Sequence, residues 1–145
     1  MKNEIDFGEL KTIYDADSLG QDYEGVKDLS TATQKCPEFL FHEITTSVKF
    51  LDKSHNMVNI SVSEFNEFVD MARNGKICKI NPILRGNKEY VVGNVKFVKS
   101  DSSDRVMVEG INGESANMSI KHFNKFIDAA IDGNMGKVRG NKIKG

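Results

Sequence analysis

Two stretches of the chain decide its fold: NISVSEFNEFVDMARNG at Asn59 to Gly75, and NMSIKHFNKFIDAAIDG at Asn117 to Gly133. They align without a gap, and 8 of the 17 positions hold the same residue. Where the residues differ, pairs such as Val62 and Ile120 keep their apolar character. Since random composition would give about one identity, the chain contains an internal duplication.

Each copy is predicted to form an amphipathic helix. Apolar residues recur at spacings of three and four, which places them in one stripe along a helix. These positions are 62, 65, 68, 69 and 72 in the first copy, and 120, 123, 126, 127 and 130 in the second. Ser61 followed by Glu64 is a capping box, whereas His122 follows Ser119 at the same spacing and predicts a weaker cap. The glycine at the end of each copy is typical of a helix C-terminus.

The two copies also resemble each other outside the helices. Val48-Lys49-Phe50 and Val95-Lys96-Phe97 precede them and each open a strand-like stretch, and Arg-Gly-Asn-Lys follows both, at 85–88 and 139–142. The repeat is therefore predicted as two strands, a helix, a basic strand and a turn. On this alignment the second copy has eleven extra residues before its helix, holding a hairpin at Asn112-Gly113. Gly-Asn and Asn-Gly favour hairpins because both residues tolerate positive φ.

These patterns predict an α+β fold in which two tandem repeats of hairpin, helix and strand pack as one pseudo-twofold domain. A single repeat would leave one sheet face and one helical stripe exposed, so the two repeats are expected to bury these surfaces against each other. We expect the first repeat at residues 36–88 and the second at 89–145, with 1–35 as an acidic N-terminal arm. The alternative is that each copy packs as a separate subdomain.

Composition limits the protein class. The 145 residues are 39% hydrophobic and 28% charged, which is typical of one globular domain. No apolar run approaches the roughly 18 residues that a membrane helix needs, so we expect no membrane association. The start MKNEIDFGEL has acids where a secretory signal would be apolar, which favours the cytoplasm, where Cys36 and Cys78 would remain reduced thiols.

Charge is distributed unevenly along the chain. Residues 1–74 carry 7 basic and 14 acidic side chains, whereas residues 75–145 carry 13 and 7. Both Arg-Gly-Asn-Lys turns lie in basic stretches of the second half, and pseudo-twofold packing would bring them together as a surface for a phosphate backbone. The predicted nucleic-acid-binding residues are Lys76, Lys79, Arg85, Lys88, Lys96, Lys99, Lys137, Arg139, Lys142 and Lys144.

A simpler interpretation competes with this one. Basic residues that alternate with apolar ones are also typical of the solvent-facing side of an edge strand, where lysine prevents aggregation. Aromatic residues that could stack on unpaired bases are limited in these stretches to Tyr90 and Phe97, and Phe97 also fits the core.

Strands followed by a Ser-capped helix, twice in one chain, resemble the unit of PUR-type and Whirly single-strand-binding proteins. The resemblance covers about two thirds of the chain and rests on topology, without a diagnostic motif. It implies nucleic-acid binding. The chain departs from those families in lacking a strand face rich in aromatic residues.

The acidic arm gives an alternative hypothesis, a protein-binding regulator or inhibitor. Residues 1–34 carry eight acids and three lysines, which could bind a basic surface of a partner or the protein's own basic face. Phe7, Tyr14 and Tyr23 would be its anchors, because aromatic residues dominate such contacts. In style, small acidic-armed proteins of this kind are similar to accessory proteins that bacteriophages use against host enzymes. A solvated tail is the structural alternative.

Enzyme signatures are missing from the sequence. The three histidines have no partner at metal-ligand spacing, and no phosphate-binding loop, nucleophile elbow or dinucleotide fingerprint occurs. Asp70 and Asp128 recur in both copies, and we interpret them as supports of a shared hydrogen bond. We therefore expect no cofactor, no metal and no catalysis. The leading prediction is a non-enzymatic binding module that contacts nucleic acid through a basic face.

Overall fold

The computed structural model describes residues 10–15, 37–42, 45–82, 86–101, 103–139 and 142–143. Two four-stranded antiparallel sheets are each followed by a helix, and a short hairpin comes last. The elements are β1 (Leu10–Asp15), β2 (Glu38–His42), β3 (Ser47–Leu51), β4 (Met57–Ser61), α1 (Val62–Arg73), β5 (Lys88–Val92), β6 (Val95–Lys99), β7 (Arg105–Glu109), β8 (Ser115–Ser119), α2 (Ile120–Asp132), β9 (Val138–Arg139) and β10 (Lys142–Ile143). The predicted α+β fold of two tandem strand-and-helix repeats is confirmed.

Each sheet is a meander, with strand orders β1-β2-β3-β4 (sheet A) and β5-β6-β7-β8 (sheet B). The two sheets correspond strand by strand, because Phe39 pairs with Phe50 in sheet A as Phe97 pairs with Val108 in sheet B. A residue of the first repeat and its counterpart are 58 positions apart from β2 to the end of the helix. The duplication therefore extends without a gap well beyond the 17 residues that reveal it.

This correspondence corrects the predicted alignment of the strands. Val48-Lys49-Phe50 lies in the third strand of its sheet, but Val95-Lys96-Phe97 lies in the second. The expected insertion in the second copy does not exist, since the last two strands of each sheet are joined by five residues, 52–56 and 110–114. The extra length is instead in the first repeat, where residues 16–37 join β1 to β2, against 93–94 between β5 and β6. An alternating apolar pattern fits any half-buried strand, so the shared letters were misleading.

Turn chemistry agrees with part of the prediction. The predicted hairpin at Asn112-Gly113 joins β7 to β8, and Gly113 has a φ of +87°. The second Arg-Gly-Asn-Lys sequence spans the β9–β10 hairpin, in which Arg139 pairs with Lys142. The first shows no hairpin within the described residues, since its last residue begins β5 and residues 76–82 contain no strand. The two Arg-Gly-Asn-Lys sequences are 54 positions apart, so they do not occupy equivalent places.

Both helices begin as predicted. The Ser61 hydroxyl accepts a hydrogen bond from the Glu64 backbone, and the Glu64 carboxylate accepts one from the Ser61 backbone, which completes the capping box. Ser119 caps α2 through the His122 backbone N–H. The apolar stripes of both helices are buried in one core that includes residues of both sheets. The first β-strand lies inside the predicted arm, and Ile13 and Tyr14 in it are buried, so residues 10–15 belong to the folded body.

Aromatic rings join the two repeats. Phe39 of β2 lies 4.8 Å from Phe126 of α2, and Phe68 of α1 stacks 4.8 Å from Phe97 of β6, measured between ring centroids. Each helix therefore packs against the sheet of the other repeat. Two separately packed subdomains would not share these contacts, so the repeats form one core.

Reciprocal hydrogen bonds show the pseudo-twofold relation. Asn124 of α2 clamps Ile80, which follows α1, by donating to its carbonyl (2.9 Å) and accepting from its N–H (2.8 Å). Its counterpart Asn66 of α1 clamps Val138, which follows α2, with two bonds of 2.8 Å. The segment after each helix is thus held by the helix of the other repeat.

The edge strands β4 and β8 meet where the sheets adjoin. The backbone N–H of Asn59 on β4 donates to Glu114 at 3.1 Å, and that of its counterpart Asn117 on β8 donates to Asp52 at 3.0 Å. Carboxylates from the turns of one sheet thereby satisfy free amides on the edge of the other.

Candidate nucleic-acid interface

The structure separates the ten predicted binding residues. Side chains are described for seven of them: Lys76, Lys79, Lys88, Lys96, Lys99, Lys137 and Arg139. Arg85 and Lys144 lie outside the described residues, and for Lys142 only the backbone is described. The seven do not form one face. Three lie around the segment that follows α1, two lie on the segment that follows α2, Lys96 is on the outer face of sheet B, and Lys99 is buried.

Lys99 is not a binding residue, which corrects that prediction. It is 1% exposed, and its ammonium donates to the carbonyls of Gly86 (3.0 Å), Ser100 (3.0 Å) and Asp101 (3.4 Å). A buried ammonium needs such acceptors. Lys99 therefore ties the start of β5 to the β6–β7 loop and is not accessible to a ligand.

A basic patch surrounds Tyr90 on β5. The Tyr90 hydroxyl lies 3.4 Å from both the N–H and the carbonyl of Cys78, and so joins the segment after α1 to β5. The Tyr90 ring lies nearly parallel to the buried Phe123 ring, with the centroids 6.3 Å apart, and the Lys88 ammonium is 5.8 Å from the Tyr90 centroid. The exposed Lys76 and Lys79 lie on either side of Cys78 in the sequence, so the contact between Tyr90 and Cys78 places the segment that carries them beside β5, where Lys88 lies.

A groove continues from this patch along α2. Its volume is about 830 Å³, and it lies between residues 79–82 and the N-terminal half of the helix. Lys79 lines one wall, while Lys121 and Lys125, one helical turn apart, line the other. We call Lys76, Lys79, Lys88, Lys121 and Lys125 the basic strip.

Two carboxylates reduce the charge of the groove. Asp104 lines it near the N-terminus of α2, and Asp128 forms an ion pair with Lys79 at 3.1 Å. Both side chains of this pair are about half exposed, at 54% and 51%, so solvent screens the attraction and a competing anion could replace Asp128 at low cost. With five lysines against two carboxylates, the strip and groove together are positive.

The equivalent surface of α1 has a different charge. Ser63 and the exposed Glu67 stand where α2 has Lys121 and Lys125. Lys137, the counterpart of Lys79, lies 3.0 Å from Asp70 of α1, and Arg139 is exposed beside it. Asp70 and Asp128 thus each accept a hydrogen bond of 3.4 Å from a lysine of the other repeat, so the hydrogen bond that we expected in both copies is present, as part of an ion pair.

Lys121 and Lys125 were missed by the sequence analysis. The sequence did contain a signal for them. They are spaced i, i+4 on the side of α2 away from its apolar stripe, and they stand where the first copy has the uncharged Ser63 and the acidic Glu67.

The prediction for the acidic arm is also corrected. Tyr14 is 8% exposed and its ring packs edge-on against Phe126 at 5.7 Å, so it is a core residue and not a binding anchor. Phe7 and Tyr23 lie outside the described residues.

Ionisable groups with altered pKa values lie at the junction of the sheets. Burial alone would raise the pKa of Asp52, but hydrogen bonds from the backbones of Asn117, Asn56 and Ser54 and from the Asn56 side chain outweigh it and lower the pKa. Burial lowers the pKa of Lys49, which Glu114 partly opposes, and the Lys49 ammonium donates to Asn59. The junction therefore stabilises the charged form of Asp52, whereas burial disfavours the charged form of Lys49.

Among the residues that the structure describes, no three His, Cys, Asp or Glu side chains are placed to hold a metal ion. The described helices are also too short or too polar to span a bilayer. Comparison of the chain with protein-family models, with curated proteins and with solved structures found no match.

Proposed function

We propose that this protein is a non-enzymatic module that binds nucleic acid through the basic strip. The observation that carries the proposal is the α2 groove, in which lysines from two separate segments line opposite walls of about 830 Å³ of open space. Lysines contribute to nucleic-acid affinity by neutralising phosphates and releasing counterions.

The composition of the strip supports contact with the phosphate backbone more than recognition of a sequence. Its charged groups are lysines, and sequence readout relies on planar side chains such as Arg, Asn and Gln that bond two base atoms. Tyr90, the aromatic ring that the Lys88 ammonium approaches, is half-buried and already stacked on Phe123. We therefore expect binding that depends strongly on salt and weakly on sequence.

The test is fluorescence anisotropy with labelled oligonucleotides of about 20 nucleotides, single- and double-stranded, across a series of salt concentrations. The wild-type affinity should fall as salt rises. The double variant Lys121→Ala/Lys125→Ala should bind more weakly at low salt, and the slope of log affinity against log salt should be smaller by about two.

A matched control removes two exposed cations outside the strip, Lys53 in the β3–β4 turn and Arg139 on β9, as Lys53→Ala/Arg139→Ala. This variant should keep the wild-type slope. The proposal is excluded by the absence of salt-sensitive affinity for either oligonucleotide, and the assignment to the α2 groove is excluded by equal losses in the two double variants.

A further inference from the structure

The outer face of sheet B carries an apolar patch with charged neighbours. Val91 on β5 is 50% exposed, Met107 on β7 is 40% exposed, and Val98 on β6 is half-buried between them. Val98 and Met107 are register partners, and the next pair on this face is Lys96 with Glu109. Exposed aliphatic residues clustered on one face of a sheet indicate an interaction surface.

The other sheet is covered at the corresponding strand of its outer face. Leu40, the counterpart of Val98, points away from the core cluster, yet it is only 7% exposed, and its neighbours on that face, Glu38 and His42, are buried too. The same side of β6 has the exposed Lys96 and the half-buried Val98. Met57 on β4 is the exposed aliphatic residue of that face, at 38%, but it lies at the edge of sheet A. The two central strands of sheet B carry Val98 and Met107 where those of sheet A carry the buried Leu40 and Lys49.

The charges on this face complement a second copy of the same face. Consider a twofold axis that runs parallel to the strands, midway between two copies of this face and above the space between β6 and β7. Rotation about this axis places β6 of one copy opposite β7 of the other. Each β6 residue then lies opposite its own register partner in the second chain. Val98 then faces Met107 of the second copy, and Lys96 faces its Glu109. Face-to-face sheets pack about 10 Å apart with nearly aligned strands, which these side chains can span.

The remaining charges on the face do not oppose this arrangement. Glu89, which forms an ion pair with Lys96 of its own chain at 4.0 Å, would lie opposite Asn117, and Arg105 would lie beyond the last register pair of β6, so no two like charges meet. We infer that the protein forms a symmetric homodimer through the outer face of sheet B, with Val98 and Met107 at its centre and two crossed Lys96–Glu109 ion pairs at its side. This inference does not depend on nucleic-acid binding, because the basic strip lies on α2, on the segment after α1 and at Lys88.

Sedimentation velocity of the full chain over a concentration series tests the inference. The wild type should shift from monomer to dimer with rising concentration. Lys96→Glu and Glu109→Lys should each weaken the dimer by about tenfold or more, since each places two like-charge pairs at the interface. Lys53→Glu, which changes the same charge outside the face, should behave as the wild type.

A mixing experiment separates the interface from effects within one chain. Within one chain, Lys96→Glu also loses the ion pair with Glu89 at 4.0 Å, and both variants place like charges at the register partners 96 and 109. Mixing does not repair these losses. In an equimolar mixture of Lys96→Glu with Glu109→Lys, however, both crossed pairs between the chains are restored, so a heterodimer should form where neither variant dimerises alone.

Three results would overturn the inference. One is a wild type that remains monomeric up to about 0.5 mM, beyond which an interface of this kind has little relevance. Another is a dimer that Lys96→Glu and Glu109→Lys leave unchanged, which would place the contact elsewhere. The last is a mixture that stays monomeric although circular dichroism shows both variants folded.

Discussion

The two repeats agree where they touch each other and differ where they face outward. Asn66 and Asn124 clamp equivalent segments, and Asp70 and Asp128 pair with equivalent lysines. On the solvent-facing sides of the helices, by contrast, Glu67 in the first repeat corresponds to Lys125 in the second. Contacts between the repeats constrain both copies at once, whereas each outer surface is free to acquire its own charge. The outer positions therefore carry the evidence for function.

The two repeats also differ at one position in the core. Phe41 of β2 is fully buried, and its counterpart in β6 is Lys99, which is buried too but bonded to three carbonyls. The same site thus holds a ring in one sheet and a charged tether in the other.

The largest expected effect follows from this difference. Phe41→Ala should lower the free energy of unfolding by about 3–5 kcal/mol, because it leaves a cavity in the core. Lys99→Met keeps most of the aliphatic volume and loses the three hydrogen bonds, so its cost should be smaller, about 1.5–3 kcal/mol. Urea denaturation measures both. Oligonucleotide affinity of the folded Lys99→Met variant should equal that of the wild type, and a salt-sensitive loss would return Lys99 to the interface.

A smaller effect is expected at the junction of β4 and β8, where the repeats use different residues. Asp52→Ala should cost about 2–3 kcal/mol at pH 7, since the part-buried amides of Ser54, Asn56 and Asn117 lose their acceptor. Because folding lowers the pKa of Asp52, its contribution is complete above the pKa of the unfolded chain, about 3.9, and is lost as the pH falls through the lower folded value. Denaturation series between pH 7 and pH 2 should therefore show the wild type losing more stability in acid than Asp52→Ala. Parallel pH profiles would contradict this role.

The smallest effect concerns the two ion pairs between the repeats, Lys79 with Asp128 and Lys137 with Asp70. Lys79→Met and Lys137→Met should each cost about 0.2–1 kcal/mol, as is usual for exposed pairs. Lys137 should be the more costly of the two, because its side chain is 25% exposed against 54% for Lys79. Thermal denaturation at low and high salt measures the difference, which should shrink as salt screens both pairs. A larger loss at Lys79 than at Lys137 would contradict this prediction.

Much of the architecture could be predicted from periodicity. Both helices, their caps and their shared core follow from apolar residues at spacings of three and four and from Ser61 and Ser119. The strand order could not be predicted in the same way, because the letters Val-Lys-Phe suit any strand with one buried face. The first strand could not be predicted either, because the long connection between β1 and β2 separates it from the rest of its sheet. The residues that follow β1 in the sequence do not continue an alternating apolar pattern.

The candidate site could be predicted less well, for two physical reasons. A count of positive charges does not tell which lysines are buried or paired, although the two-residue period of β6 places Lys99 on the same side as Val95 and Phe97. The groove, in turn, requires Lys79 to lie opposite Lys121 and Lys125. That arrangement depends on how the segment after α1 crosses to α2, a tertiary contact that no local pattern records.

The segment after each helix is held by the helix of the other repeat, and this exchange affects the order in which the protein can fold during synthesis. Ile80 is held by Asn124, which the ribosome adds 44 residues later. At about 5–20 residues per second, roughly 2–9 seconds separate the synthesis of these two partners. During this interval the first repeat lacks the side chain that fixes the segment after α1. The final packing of the amino-terminal half is therefore a late event, completed when the carboxy-terminal half has emerged.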